Sequence, residues 1–234
     1  MPISHLLESM LPGWHFDALD VNGRSGGIAM GYNSKTNKLI NIWGGSGFIG
    51  VDLFTYELGI EIRMINVYGP CQNRAFFWEH LLRSNLLQVN NLILGGDLNF
   101  SIGYLESWGQ NMQIDSLSDF FANVLEDHGL IDIPAAILQP TWRNIRTGEA
   151  RLARRLDCFL LKEWLLGMGC NYRLWVGSGG LSDHSPIYLD ISGRVNKPKA
   201  PFKFNATWLK YLDYIKLVID YWKTHPPVVG GNLS

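Results

Sequence analysis

The sequence has no long apolar run, few cysteines and almost no net charge. No segment approaches the roughly 20 consecutive apolar residues that cross a bilayer, and the start of the chain lacks the basic residues of a secretory signal peptide. Cys71, Cys158 and Cys170 form no Cys-x-x-Cys pair, which favours reduced thiols over disulfides or a zinc site. These absences predict an intracellular protein, nuclear or cytoplasmic, without membrane contact.

The near-neutral charge limits how the protein can contact a polyanion. A net charge of −1 over 234 residues excludes a uniformly basic surface, so any contact with nucleic acid requires a local basic patch. Hydrophobic residues make up 47% of the chain and charged residues 18%. That composition excludes a disordered chain and is typical of a folded domain with a substantial core.

Short β-segments separated by turn residues fill the front half of the chain. Asn22-Gly23 is a strong hairpin signal, and the runs that predict strands lie at 14–20, 28–32, 37–43, 51–58 and 60–68. In the back half, further strands are predicted at 91–94, 156–161, 171–176 and 186–191. Helices are predicted at 73–87, 117–128 and 162–168. Because these helices are too few to cover a doubly wound parallel sheet, two packed sheets flanked by helices fit better.

The two longer helices of this region carry apolar residues at helical spacing. The stripe of the first helix consists of Phe76, Phe77, His80, Leu81 and Asn85, and that of the second of Leu117, Phe120, Phe121, Val124 and Leu125. Both patterns predict helices that pack one face against a core.

The composition changes after Ser192. The segment from Asn196 to Lys203 is rich in lysine and proline, as linkers are, and an amphipathic helix is predicted from about residue 208 to 223. We therefore expect a domain at 1–192, a linker at 193–205 and a helical tail at 206–234.

Three short polar motifs lie at the ends of predicted strands. They are Gly95-Gly96-Asp97-Leu98-Asn99, Arg155-Leu156-Asp157 and Ser182-Asp183-His184. Each motif alone is an ordinary turn, but strand ends are where loops carry functional sites. Together they supply carboxylates, a carboxamide and an imidazole, which suit a hard cation such as Mg²⁺ and proton transfer beside it.

The order of these motifs resembles the endonuclease/exonuclease/phosphatase superfamily over residues 14–192. The segments Asn66-Val67-Tyr68-Gly69-Pro70 and Pro140-Thr141-Trp142 are similar to further elements of that family. The segment Gly23-Arg24-Ser25-Gly26-Gly27, with the tail after Lys197, looks most like the endonuclease domains of plant LINE-type (non-LTR) retrotransposons. The resemblance implies an α/β fold, a four-layer α-β-β-α sandwich of two mixed sheets.

The resemblance also implies roles for individual residues. Asp97 and Asp183 would hold Mg²⁺, with Mn²⁺ as an alternative, and Asn99 would help Asp97 position the attacking water. His184 would act on the phosphate or the water, and Asp157 would hold the imidazole in its tautomer. Catalysis would further use Tyr68, which would hydrogen-bond the phosphate.

The sequence departs from the family at its start. Family members begin with a strand that carries an Asn, then a helix, then a strand that ends in a metal-binding Glu. Neither strand is found in this chain, because Glu8 lies in a Leu-rich, helix-like segment and Asn33 follows the wrong segment. We therefore expect the fold to lack the family's first strand and helix, and metal binding and activity to be weak.

Basic residues are concentrated between Trp142 and Asp157. They are Arg143, Arg146, Arg151, Arg154 and Arg155. Such a charge run is usually a solvated loop, but this one leads into a site motif. The resulting prediction is that Arg143, Arg146 and Arg151 contact phosphates of DNA. Trp108 and Trp142 lie in predicted loops near the motifs, where the alternatives are packing, which is the commoner role of tryptophan, and contact with a base or sugar; Trp142 is the candidate for the nucleic-acid contact. A monomer is expected, and the reverse transcriptase that follows in full-length family members is absent from this chain.

Three interpretations of the function remain open from the sequence. The first is a DNA endonuclease of retroelement type, which the arginine-rich segment favours. The second is a phosphatase on the same fold that acts on inositol phosphates or lipids. The third is a catalytically inactive remnant that at most binds nucleic acid, and the unmatched Glu is its main support.

Overall fold

The computed structural model describes residues 3–19, 27–101, 103–109, 114–144, 146–180, 182–193 and 212–224. The chain divides into two compact units, Met1–Val195 and Asn196–Ser234. The predicted hairpin turn at Asn22-Gly23, the Gly23–Gly26 segment and most of the predicted linker lie outside the described residues. No helix among the described residues is long and apolar enough to cross a membrane.

The secondary structure of the described residues alternates strands with a few helices. The strands are β1 (Trp14–Leu19), β2 (Ile28–Asn33), β3 (Asn37–Gly45), β4 (Phe48–Thr55), β5 (Ile60–Tyr68), β6 (Leu92–Asp97), β7 (Ser107–Gly109), β8 (Leu130–Asp132), β9 (Trp142–Arg143), β10 (Leu152–Arg154), β11 (Asp157–Lys162), β12 (Asn171–Val176) and β13 (Ile187–Ser192). The α-helices are α1 (Ile3–Met10), α2 (Arg74–Arg83), α3 (Ser118–Asp127), α4 (Glu163–Gly167) and α5 (Leu212–Thr224). Short 3-10 helices lie at Asn85–Leu87, Tyr104–Glu106 and Gly148–Ala150.

A six-stranded sheet in the order β3-β4-β5-β6-β11-β8 forms the centre of the first unit. Its neighbouring strands are antiparallel except β5 and β6, which run parallel. Parallel neighbours need a crossover connection, and the segment that contains α2 provides it. As a result, β5 and β6 end at the same edge of the sheet, and β11 begins there.

Both faces of the central sheet are covered by apolar residues. Along β6, Leu92 and Leu94 pack into one core cluster with residues of α2 and α3, whereas Ile93 packs into a second cluster with residues of β12 and β13. This alternation follows from the two-residue period of a strand. The predicted α/β sandwich is therefore confirmed, with α2 and α3 on one face and, on the other, β12, β13 and the short helix α4.

The second strand layer differs in detail from the two mixed sheets that the resemblance implies. It contains two antiparallel hairpins, β1-β2 and β12-β13, and no other described strand pairs with either hairpin. An apolar groove of about 230 Å³ is lined by Met30 of β2, Ile187 of β13 and, from the central sheet, Met64, Ile93 and Phe159. Within the described residues, this layer is thus made of separate hairpins and not of one continuous sheet.

The first predicted helix needs correction. The α-helix ends at Arg83, and a short 3-10 helix follows at Asn85–Leu87. The buried residues of α2 are Trp78, Leu81 and Leu82. Phe76, which was predicted on the apolar stripe, is 76% exposed. The stripe was misplaced because Phe76, Phe77 and Trp78 are consecutive aromatic residues, and the sequence does not show which of them faces the sheet. The stripe predicted for α3 is correct, with Phe121 fully buried in the same cluster.

The tail forms a helix, α5, in the second unit. The predicted start near residue 208 lies outside the described residues. Apolar residues of α5 that include Leu217, Ile219 and Trp222 are exposed. The proposed boundaries of the domain, linker and tail remain a prediction.

Candidate active site

Three polar side chains lie in one row across the central sheet. Tyr68 is the last residue of β5, Asp97 the last of β6 and Asp157 the first of β11. The strand register pairs Tyr68 with Asp97 and Asp97 with Asp157. Residues that face each other across neighbouring strands share one side of a sheet. The parallel arrangement of β5 and β6 therefore brings these three predicted residues together.

His184 joins this group from a segment outside the central sheet. An isolated β-bridge pairs His184 with Trp142 of β9. The Nδ1 atom of His184 lies 2.9 Å from Oδ2 of Asp157, and Nε2 lies 3.7 Å from Oδ2 of Asp97. The imidazole therefore lies between the two carboxylates, and Asp157 can accept the proton of Nδ1 as predicted.

The site perturbs the acidity of its own groups. Burial, and then the charge of Asp157, raise the pKa of Asp97 to about 6, although His184 and the backbone N–H of Asn99 oppose this rise. The hydrogen bond to Asp157 raises the pKa of His184 despite the opposing effect of burial. Burial and the charge of Asp97 raise the pKa of the Tyr68 phenol, which keeps it protonated as a hydrogen-bond donor. The site thus favours the charged form of His184 and the neutral form of Asp97 more than water does.

Asn99 occupies a strained turn directly after β6. Its φ angle of 53° lies in the left-handed region, which Asn tolerates better than most residues. The Asn99 backbone N–H donates to Oδ1 of Asp97 at 3.1 Å, and Nδ2 donates to the carbonyl of Gly69 at 2.5 Å. Asn99 is therefore placed beside Asp97, as predicted, by contacts on both sides of the turn.

An ion pair that was not predicted supports this turn through the backbone carbonyl of Asn99. Arg74, the first residue of α2, donates to the carbonyl of Asn99 at 2.9 Å and forms two hydrogen bonds with the carboxylate of Asp115 at 2.6 and 2.8 Å. Burial alone would raise the pKa of Asp115, but hydrogen bonds from Arg74 and Leu117 outweigh burial and hold the pKa below its ordinary value. No sequence pattern links residues 41 positions apart, so this pair was visible only in the structure.

Thr141 connects the two motifs that supply Asp157 and His184. Its buried hydroxyl accepts hydrogen bonds from the backbone N–H groups of Leu156 and Asp157, both at 3.0 Å. Its carbonyl accepts a further hydrogen bond from Ser185, at 2.6 Å. Through these contacts, Thr141 of the predicted Thr-Trp element joins the motif that contains Asp157 to the motif that contains His184.

Arg155 serves the structure and not the substrate. It is 3% exposed and forms hydrogen bonds with Glu106 at 2.6 Å and with Asp132 at 2.7 and 2.6 Å. Burial opposes its charge, but these two carboxylates raise its pKa above the ordinary value. The buried ion pairs anchor the start of β11 and hence the position of Asp157.

The residues that could hold a metal are partly those predicted. Ligand atoms of Asp97, Asp157 and His184 all lie within 4.8 Å of one another, and carboxylate oxygens are the donors that Mg²⁺ prefers. Asp183 accepts a hydrogen bond on Oδ2 from Nε1 of Trp142, at 2.9 Å. Metal binding by Asp183 remains a prediction. Glu8 lies elsewhere, where its carboxylate accepts a hydrogen bond from Phe16.

Comparisons with known proteins identify the fold. Neither a protein-family model nor a curated protein sequence matches the chain. The chain is similar to the solved endonuclease domain of TRAS1, a telomere-specific non-LTR retrotransposon, with 21% identity and a TM-score of 0.62 over 80% of this chain and 83% of that chain. It is also similar to an endonuclease/exonuclease/phosphatase family protein from Bacteroides thetaiotaomicron, with 13% identity and a TM-score of 0.50 over 80% and 78% of the two chains.

The chain has the endonuclease/exonuclease/phosphatase fold. A mannosyl-6-phosphatase from the same bacterium also shares this fold, with 15% identity and a TM-score of 0.52 over 80% of each chain. The resemblance predicted from the sequence motifs is confirmed at this level. Because phosphatases and nucleases share the endonuclease/exonuclease/phosphatase fold, the substrate must be argued from the site itself.

Of the predicted DNA-contacting arginines, Arg143 contacts the segment that carries Asp183 and His184. Arg143 belongs to β9, and its backbone N–H donates to the carbonyl of Asp183 at 3.0 Å. Arg146 and Arg151 are exposed on the connection between β9 and β10. Among the described residues, none of these three guanidinium groups forms an ion pair with a carboxylate. Their charge is therefore available to an anionic ligand.

Proposed function

We propose that this chain hydrolyses phosphodiester bonds of DNA as a metal-dependent endonuclease of the retroelement type. The observation that carries the proposal is the arrangement at the end of the central sheet. Ligand atoms of Asp97, Asp157 and His184 lie within 4.8 Å of one another, and Tyr68 is in register beside them. Arg143, which has no acidic partner among the described residues, donates its backbone N–H to the neighbouring Asp183. Carboxylates, an imidazole and nearby positive charge are what hydrolysis of a phosphate diester requires.

Each residue of the site has a chemical task. Asp157 accepts the Nδ1 proton of His184 and fixes the tautomer, so that Nε2 faces Asp97 and the phosphate. The raised pKa of His184 favours the protonated imidazole, which can stabilise negative charge on the phosphate. Asn99 holds Asp97 in place for orientation of the water, and the Tyr68 phenol donates a hydrogen bond to a phosphate oxygen.

The residues fit a divalent cation, which Asp97 and Asp183 would hold. Mg²⁺ suits these oxygen donors, with Mn²⁺ as an alternative. When bound, the ion would neutralise charge on the phosphate as the bond breaks. The protein groups position the diester, orient the water and hold or transfer protons.

DNA is favoured as the substrate over a small phosphomonoester. Guanidinium groups pair well with phosphates, and Arg143, Arg146 and Arg151 are exposed and have no acidic partner among the described residues. Several such groups within one short segment suit a ligand with several phosphates. The similarity to the endonuclease domain of TRAS1 agrees with this choice. A phosphatase remains the second candidate, since a mannosyl-6-phosphatase shares the fold.

Nicking of supercoiled plasmid DNA in the presence of Mg²⁺ or Mn²⁺ tests the proposal. We expect slow nicking that Asp97→Ala and His184→Ala both abolish. Matched control variants are Asp190→Asn on β13 and His80→Ala on α2, which replace exposed residues of the same types and should nick at the wild-type rate. Hydrolysis of a soluble phosphomonoester without nicking would favour the phosphatase. A cooperatively melting protein that hydrolyses neither substrate would favour an inactive, nucleic-acid-binding remnant.

A further inference from the structure

A pocket of about 380 Å³ lies on the small three-stranded sheet β7-β10-β9. Its lining includes Trp108, Arg143, Arg151 and Ala153. Two of its arginines belong to the proposed DNA contact, but that proposal gives no role to Trp108 or to the cavity, which has the size of a small-ligand site.

The register of the three strands explains how the pocket is built. Ala153 of β10 faces Trp108 of β7 on one side and Arg143 of β9 on the other, so the three side chains share one face. Ala153 is buried and forms a floor, with an indole on one side and a guanidinium on the other. A Cβ at Gly109 would lie 2.6 Å from the carbonyl oxygen of Arg151, so glycine allows β7 to approach Arg151 this closely.

The charged groups of the pocket are not used for folding. Arg63, Arg74 and Arg155 each form a close ion pair with a carboxylate. In contrast, Arg143 and Arg151 are exposed, and neither guanidinium has an acidic partner among the described residues. The indole of Trp108 also has no hydrogen-bond partner within that part of the chain. One aromatic surface and two positive charges are therefore left facing the same cavity.

The pocket is joined to the catalytic group through β9. The backbone N–H of Arg143 donates to the carbonyl of Asp183, and the preceding residue, Trp142, forms the bridge to His184. Neighbouring side chains of a strand point to opposite faces, so Trp142 reaches Asp183 while Arg143 reaches the pocket. The backbone of β9 therefore connects the pocket directly to the segment that carries Asp183 and His184.

We propose that this pocket binds a nucleotide that flanks the cleaved phosphate, with its base stacked on Trp108 and its phosphate held by Arg143 and Arg151. This inference rests on the proposed action on DNA and adds a base-binding subsite to it. An aromatic ring stacks on any base without hydrogen-bond readout, so the subsite is tolerant of sequence. It requires an unstacked base, which single-stranded or locally opened DNA provides.

Binding measured without metal tests the subsite independently of cleavage. Fluorescence anisotropy in EDTA would compare a labelled single-stranded oligonucleotide with a fully abasic strand of the same length and charge. We expect the full-length wild-type protein to prefer the strand with bases by about tenfold. Trp108→Ala should lose this preference, Trp108→Phe should keep most of it, and Trp164→Ala, which removes an exposed tryptophan of α4, should not change it.

The two arginines have a different expected signature. Replacing both Arg143 and Arg151 by Ala should weaken binding of the two strands alike and reduce the slope of log affinity against log salt by about 1.4. Unchanged base preference in Trp108→Ala, or an unchanged salt slope in the arginine variant, would overturn the subsite. Plasmid nicking with no Trp108-dependent base preference would refute the subsite alone. Base preference that depends on Trp108, in a protein that nicks nothing, would support the subsite and refute the nuclease.

Discussion

At the scale of single residues, Thr141 shows how one buried hydroxyl positions a group of the candidate site. It accepts two backbone hydrogen bonds at the start of β11. A buried donor without an acceptor costs more than an average hydrogen bond contributes. Thr141 is therefore a positioning residue for Asp157, and through Asp157 for His184.

Thr141→Val should separate this role from simple packing, because valine has nearly the same shape without the acceptor. We expect the free energy of unfolding to fall by about 2 kcal/mol, together with slower nicking. Urea denaturation measures the first effect and the plasmid assay the second. Thr141→Ser, which retains the hydroxyl, should recover most of both. Equal loss in the serine variant would show that the methyl group is what matters.

At the scale of elements, the Arg74–Asp115 pair ties the start of α2 to the segment before α3 and supports the Asn99 turn between them. The folded protein holds the pKa of Asp115 below its ordinary value. Its ion pair therefore contributes stability above the unfolded pKa, about 3.9, and loses this contribution as the pH falls through the lower folded value.

Asp115→Asn should lower the free energy of unfolding by about 2 kcal/mol at pH 7, and the difference from the wild-type protein should shrink below about pH 4. Denaturation at a series of pH values measures this. Asp52→Asn is a matched control, because Asp52 also pairs with an arginine, Arg63, at 2.7 Å. Both variants should lose stability, but only Asp115→Asn should slow nicking. Equal nicking by the two variants would refute a positioning role for Asp115.

At the scale of the whole molecule, one ionised group of the site lowers the stability of the fold. Burial and the charge of Asp157 raise the pKa of Asp97 to about 6, above its ordinary value of about 3.9. A raised folded pKa means that the protonated form is favoured, so stability is present at low pH and is lost as the pH rises through about 6. In the metal-free protein, the Asp97 carboxylate is thus destabilising at neutral pH.

Asp97→Asn should therefore stabilise the metal-free protein by about 2 kcal/mol at pH 7.5 and hardly at all near pH 4. Added Mg²⁺ should stabilise only the wild-type protein, by about 1.4 kcal/mol at ten times its dissociation constant. Thermal melts with and without the ion measure both effects. We expect weak Mg²⁺ binding, and calorimetry that shows tight stoichiometric binding would contradict this. If Asp97→Asn instead lowered the stability of the metal-free protein, the prediction that the ionised Asp97 carboxylate destabilises the fold would be wrong.

The sequence by itself determined which residues are candidates for the site. Asp97, Asn99, Asp157 and His184 were found because each lies in a short polar motif at the end of an apolar run, and both patterns are local in the chain. Most strands were predicted for the same reason, since apolar residues and turns between neighbouring segments are visible without knowledge of the fold.

Only the tertiary structure decided which residues surround those candidates. The strands β7 to β10 have two or three residues each, too few to show a period, and no local pattern brings Trp108 beside Arg143. Likewise, Arg74 and Asp115 meet across 41 residues, and the buried member of the aromatic run in α2 was set by packing. These features depend on contacts between segments distant in sequence, and such contacts form only once the chain has folded.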